Sequence, residues 1–561
     1  MRTVKIFYIL VIVAFLSGCG LENMANKYNT VNFITTPSPL ETHGGEVALN
    51  LEAKFIEKYF AKQAIVDFTP VLVYKEGETA FKTIRIQGEE ATGGESTIFN
   101  ATGGSFKYQD EIIYSDKMKN SSLEIRAVAA LTGKQLKVKE KEKVFETRNL
   151  AKGVIATSTR VKNTEDLANN NHGYEHETIL EETATIYFLV NQSNIRTTEK
   201  SNESVKALKK FAENGFKTHS IEIISFASPE GTVNTNDNVS EKRMNSTVNY
   251  TKKLLQSLKV DGAKNSELYI KTSVGEDWNG FEELVSNSSI KEKRKINNII
   301  NSITNVDERE QQIRDLAEIY NAIEDNVLPQ LRKAKIIIRS YEPKRTDEEI
   351  AKISTTNPET LTLNELLFSA TLYSDQETKT SIYNKVVELH NDWRGYNNLA
   401  CIYLAKNNLT EAMQFLDKAE RLGGVNSDIL NNRGIVALRR GDLATAQKLF
   451  NQANTSENNQ AILEIKKGNY AKAARFFKNE KTYNATLAQL LNGEDNARCN
   501  EENADCYYLN AIGSARSKNN EAVIKHLTQA INADPKYKEE AIADLEFFNL
   551  RTNERFIDLT K

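Results

Sequence analysis

One short stretch carries an arginine, Arg243, of the type and placement to hold an anion, with polar residues close before it. Ser228, Glu230, Gly231, Asn236 and Arg243 lie in the run Phe226-Ala-Ser-Pro-Glu-Gly231 and the segment that follows it. A guanidinium fork matches a carboxylate bidentately. Ser240 can cap a helix starting near it, with Glu241 favourable in the first turn. Arg243 then falls in that first turn, where unpaired N–H groups already favour anions. Arginine is poorly placed there with respect to the macrodipole, which hints at a ligand. The competing reading is an internal ion pair with Glu230, Asp237 or Glu241.

Other reactive side chains are sparse. There are four cysteines and six histidines. Cys499 and Cys506 bracket a short polar loop and could form a disulfide in an oxidising compartment. Cys401 sits in an apolar helical pattern and reads as a buried small hydrophobe. His172 and His176 could bind metal on a helix face, but their Asn-rich surroundings, with a glycine between them, read as a linker. No metal site and no cofactor is expected. Neither a Gly-x-Ser-x-Gly elbow nor a His-Glu-x-x-His helix occurs, so the chain is not expected to be an enzyme.

The elements that must position the ligand-binding stretch alternate. Thr185–Val190, Ser220–Ala227, Leu268–Val274 and Lys335–Ser340 read as strands, and Ser201–Glu213 and the stretch from Ser240 as helices. A charged helical stretch from Gly280 to Val327 precedes the last strand. With these elements the stretch resembles the OmpA C-terminal domain family, in which a strand ends in T-D-x-x-G, a loop carries Asn, and L-S-x-x-R opens a helix. Gly231, Asn236, Ser240 and Arg243 match that spacing, and the likeness covers residues 183–345 with a helical insertion. It implies an α/β fold and non-covalent binding of the diaminopimelate of peptidoglycan stem peptides. Ser228 stands where the family has an aspartate that accepts from the ligand's ammonium. Losing that charged hydrogen bond costs about 1.5–3 kcal/mol, or about 10- to 100-fold in affinity. Glu230 or Asp237 could substitute.

The N-terminus bears on the compartment. Arg2 and Lys5 precede an apolar run, Ile6–Leu16, that is too short to span a bilayer and suits a secretory signal. Leu16-Ser-Gly-Cys19 resembles the lipobox of bacterial lipoproteins. This implies a signal peptide over 1–18, lipidation of Cys19, and anchoring by acyl chains. Gly20, rather than aspartate, after the cysteine implies the outer membrane, with the chain on its periplasmic face. Residues 19–31 read as a polar tether.

Residues 32–162 alternate apolar and polar side chains between glycine turns, the pattern of a β-sandwich. Residues 163–182 and 346–358 read as linkers. From 359 to 561 the sequence is helical. A shift of 34 residues aligns Asn397 with Asn431, Asn398 with Asn432, Ala400 with Gly434, Leu416 with Phe450 and Ala419 with Ala453. That period and those small residues resemble the tetratricopeptide repeat, an α-helical solenoid whose concave surface binds a protein partner.

With 73 basic against 76 acidic residues the net charge is −3, which offers no electrostatic footprint for nucleic acid. The combination resembles lipoproteins of Bacteroidetes-type bacteria. The expected function is a peptidoglycan-binding outer-membrane scaffold. The alternative is an accessory subunit of a secretion, adhesion or uptake assembly in which wall binding has been lost.

Overall fold

The computed structural model describes residues 20–132, 142–169 and 172–561. Cys19 and the expected signal peptide lie outside the described residues. The chain forms two compact units. One comprises the described residues up to Asn169 together with Gln376–Lys561; the other is His172–Asp375.

In the first unit the alternating segments form strands. Along Glu46–Phe55 and Ser122–Leu131 every second residue is buried or nearly so, as a sheet with one face on a core requires. One sheet centres on Glu46–Phe55, with Gly104–Ile113 antiparallel on one side and Asn32–Thr36 and Leu40–His43 on the other. A second centres on Ala64–Tyr74, between Ser122–Leu131 and Ile84–Gly88. Leu49, Leu51 and Phe55 of the first sheet share a core with Val66, Phe68, Ile86 and Ile125 of the second. The result is the expected sandwich.

The expected tether is part of this domain. Residues 20–26 are helical, and Leu21, Met24, Tyr28 and Val31 are buried in the sandwich core. Their spacing of three, four and three is that of one helical face. The polar residues between them gave the segment its tether-like composition.

Helix pairs make up most of the rest of this unit: Trp393–Ala405 with Leu409–Gly423, Ser427–Arg439 with Leu443–Ala453, and Glu457–Lys466 with Tyr470–Phe477. Tyr483–Leu491 follows, then Ala504–Arg516 with Asn520–Ala533. Ala400, Ala412, Ala419, Ala446 and Ala473 are fully buried at the contacts, so the helices approach closely. This is the tetratricopeptide-type solenoid expected from the 34-residue period. The segment of the first unit that holds it starts at Gln376, not 359. The expected linker at 346–358 holds the helix Asp347–Thr356, started by a capping box of Thr346 and Glu349.

The second unit is an α/β domain. Its strands Ile179–Tyr187, Thr218–Ala227, Tyr269–Glu276 and Lys333–Tyr341 lie in the order first, fourth, second, third. The second and third are parallel and the other pairs antiparallel. Helices Glu203–Ala212 and Val233–Ser257 cover one face, where Val205, Leu208, Val248 and Leu255 meet Ile186, Ile221, Ile223, Ile336 and Ile338. The first strand begins within the expected 163–182 linker. Short helices between Trp278 and Leu331 form the insertion, with a core of their own around Phe281, Val285, Ile296, Ile313 and Leu328.

One helix start differs from expectation. The helix expected from Ser240 begins at Val233, and the Thr232 side chain accepts from the Thr235 N–H. Val-Asn-Thr-Asn-Asp-Asn-Val carries no apolar stripe and reads as a loop, yet it forms the first two turns. Arg243 therefore lies more than two turns inside the helix, beyond the unpaired N–H groups.

Candidate functional site

The loop after the second central strand and the helix from Val233 bring together all five residues expected to bind ligand. Ser228 Oγ donates to Glu230 Oε1 at 2.6 Å. Arg332 grips both Glu230 oxygens at 2.8 Å. Asn236 Nδ2 donates to the Gly231 carbonyl at 3.2 Å and to Glu276 Oε1 at 2.7 Å. Arg243 is 1% exposed. Its Nε donates to the Gln192 carbonyl at 3.0 Å, Nη1 to Phe226 at 2.9 Å and Nη2 to Leu189 at 3.1 Å. Its guanidinium also stands over the Phe188 ring. Burial, followed by repulsion from Arg332, lowers its pKa to about 10, so it remains charged at neutral pH. Ser240 ties the helix to two strands, donating to the Ser225 carbonyl and accepting from Ser273 Oγ.

Ser228, Glu230, Asn236 and Arg243 thus make their polar contacts with one another and with their own domain. Ser228 and Asn236 are buried as well. Nothing in the sequence marks Arg332, which follows the insertion, far from any motif. The insertion itself reaches this loop: Pro229 lines a small cavity with Trp278, Phe281, Glu310 and Ile313. Burial and the neighbouring Glu276 carboxylate push the Glu310 carboxyl up to about 7.

The first unit holds a second constellation. The start of the expected 163–182 linker runs extended along the inner helices of the repeat array, where asparagines clamp its backbone. Asn484 accepts from the Lys162 N–H and donates to the Lys162 carbonyl, both at 2.9 Å. Asn459 pairs the same way with Asp166, at 2.6 and 3.1 Å, and Asn432 with Ala168, at 3.0 and 2.9 Å. Asn458 donates to the Thr164 carbonyl, Asn431 to that of Asp166 and Asn397 to that of Ala168.

Side chains of the alternate residues also meet the array. Val161 and Leu167 pack against the array core. Glu165 is 7% exposed and meets Arg439 at 2.6 and 3.2 Å. Asn510, on the last of these inner helices, holds the Cys499 N–H and carbonyl by the same device. The recurrence of Asn397 and Asn431 was visible in the sequence, but its ligand was not.

Cys499 and Cys506 form a disulfide with a Cα separation of 5.5 Å. Glu501 lies near both sulfurs, but the bond between them occupies the two thiols that a metal would need. His172, Tyr174 and His176 all pack on Phe368, with ring centroids 4.7–5.3 Å apart, and His176 faces Asp347 at 3.3 Å. They form an aromatic cluster. Cys401 is buried beside the clamped segment, and burial pushes its thiol up to about 12.

No protein-family model matches the chain, and no curated protein is detectably similar to it. Among solved structures it is similar to YrrB, described as a TPR protein with an unusual peptide-binding site, at 20% identity over 36% of this chain and 100% of that one, with a TM-score of 0.21. It is similar to PilW, a widely conserved type IV pilus biogenesis factor, at 14% identity over 38% and 89%, with a TM-score of 0.22. It is also similar to the APC/C hetero-tetramer Cut9-Hcn1, at 14% identity over 65% and 56%, with a TM-score of 0.23. At these TM-scores the repeat assignment rests on the chain's own helix pairs.

Proposed function

We propose that the protein is a non-enzymatic scaffold, lipid-anchored through Cys19 at the periplasmic face of the outer membrane. It serves a secretion, adhesion or uptake assembly as an accessory subunit. Its central domain is OmpA-like, a reading supported by the strand order and by the Gly231, Asn236 and Arg243 spacing. Its wall-binding subsite is closed. One observation carries this reading: Arg243, the group expected to hold the ligand carboxylate, is buried and donates to three backbone carbonyls. Ser228 in place of the aspartate points the same way, and Glu230 is engaged by Arg332. Gripping diaminopimelate would require Arg243 to abandon those carbonyls.

Sedimentation of the protein with purified peptidoglycan, alongside calorimetry with a diaminopimelate stem peptide, tests this. The expected result is no co-sedimentation and no saturable heat. Saturable binding that disappears in Arg243→Ala, with the fold retained, would restore the wall-tether reading.

A further inference from the structure

We infer that the inner groove of the repeat array is an exchangeable peptide site. Its resident ligand is the chain's own segment 161–168. That segment yields to an extended peptide carrying a glutamate and, two residues later, an aliphatic side chain. The inference depends neither on the lipid anchor nor on the closed central domain.

The contacts divide into two kinds. Asn484, Asn459 and Asn432 each read one backbone N–H and its own residue's carbonyl, at residues 162, 166 and 168. Any extended peptide offers those groups, as in strand addition. Selectivity comes from the side chains, among them Lys162 against Asp505 and Asp166 accepting from Ser456 Oγ. Arg439 receives the glutamate, and its Nη1 donates to the Leu404 carbonyl at 2.6 Å, which orients the guanidinium from the array's own side. Lys466 adds positive charge close by. Leu167 then packs, partly buried, against the array core.

The resident segment fits this site imperfectly. Both hydrogen bonds from Arg439 go to Glu165 Oε2, while the buried Oε1 has no hydrogen-bond partner. An unsatisfied buried carboxylate oxygen is unfavourable. A peptide free to place both oxygens on the guanidinium would make the stronger bidentate pair. The resident segment holds the groove through its covalent tether, which gives it an effective concentration on the order of millimolar.

The test uses the full chain and a fluorescent synthetic peptide of residues 160–169. Glu165→Lys sets an ammonium against Arg439 and Lys466, ejecting the resident segment while leaving every groove residue intact. By fluorescence anisotropy the peptide should bind this variant at least about tenfold more tightly than wild type. Adding Asn459→Ala, or placing lysine at the peptide's glutamate position, should abolish the gain. A folded Glu165→Lys variant that binds no better than wild type would overturn the inference. Should that variant not fold, hydrogen exchange on wild type decides. Millimolar peptide should speed exchange of the Asp166 and Ala168 amides, and unchanged rates at saturating peptide would reject exchange.

Discussion

The three carbonyls held by Arg243 belong to two separate segments: Leu189 and Gln192 follow the first central strand, and Phe226 lies near the end of the second. One planar cation therefore staples the ends of two strands to a helix. Arg243→Ala would remove three charged donors, leaving the Leu189 carbonyl only the Gln192 N–H. The expected loss is about 3–5 kcal/mol, read as a lower urea midpoint of the central domain. Arg243→Lys should recover only part of it, because a point-like ammonium lacks the fork that spans three acceptors. The residue types and their spacing were legible in the sequence. Their consumption by the domain itself was not, because it depends on Arg332, on backbone carbonyls, and on a helix that starts two turns early in a stretch of asparagines.

At the level of helices and strands, legibility followed periodicity. Alternating runs became strands and the 34-residue shift became stacked helix pairs. Segments whose composition masked their spacing were misread, as at Leu21, Met24, Tyr28 and Val31. The shift also placed Ala400 above Gly434 and Leu416 above Phe450, and the structure supplies the reason. A Cβ on Gly434 would lie 2.5 Å from the Phe450 ring. The pair that gains a larger ring thus loses a methyl group opposite it. Gly434→Ala should destabilise the first unit by about 1–3 kcal/mol through overpacking. Adding Phe450→Leu should recover much of that, with both effects read from thermal unfolding.

Across the whole chain the two compact units do not follow sequence order, because the central domain is inserted between the sandwich and the repeats. The sandwich and the repeats share contacts distant in sequence: Thr157 with Glu546 at 2.5 Å, Arg160 with Asp544 at 2.8 Å and His43 with Tyr470 at 3.1 Å. Units with separate cores can unfold as separate transitions. Calorimetry of the full chain should therefore resolve two transitions. Arg243→Ala should lower one and Gly434→Ala the other. A substitution in the repeats that also shifts the Arg243-sensitive transition would contradict this division.

The clamped segment also sets an order in time. Lys162 is synthesised 322 residues before Asn484, which holds it. At roughly 5–20 residues per second that segment waits on the order of tens of seconds for its groove. Non-local pairings of this kind slow folding and expose unfinished surfaces. Lys-Asn-Thr-Glu-Asp, at positions 162–166, is strongly hydrated and poorly suited to pairing with other unfinished chains. The same polar composition that made it look like a linker lets it remain single and extended until the C-terminal repeats emerge, so the oldest domain of the nascent chain is completed by its youngest residues.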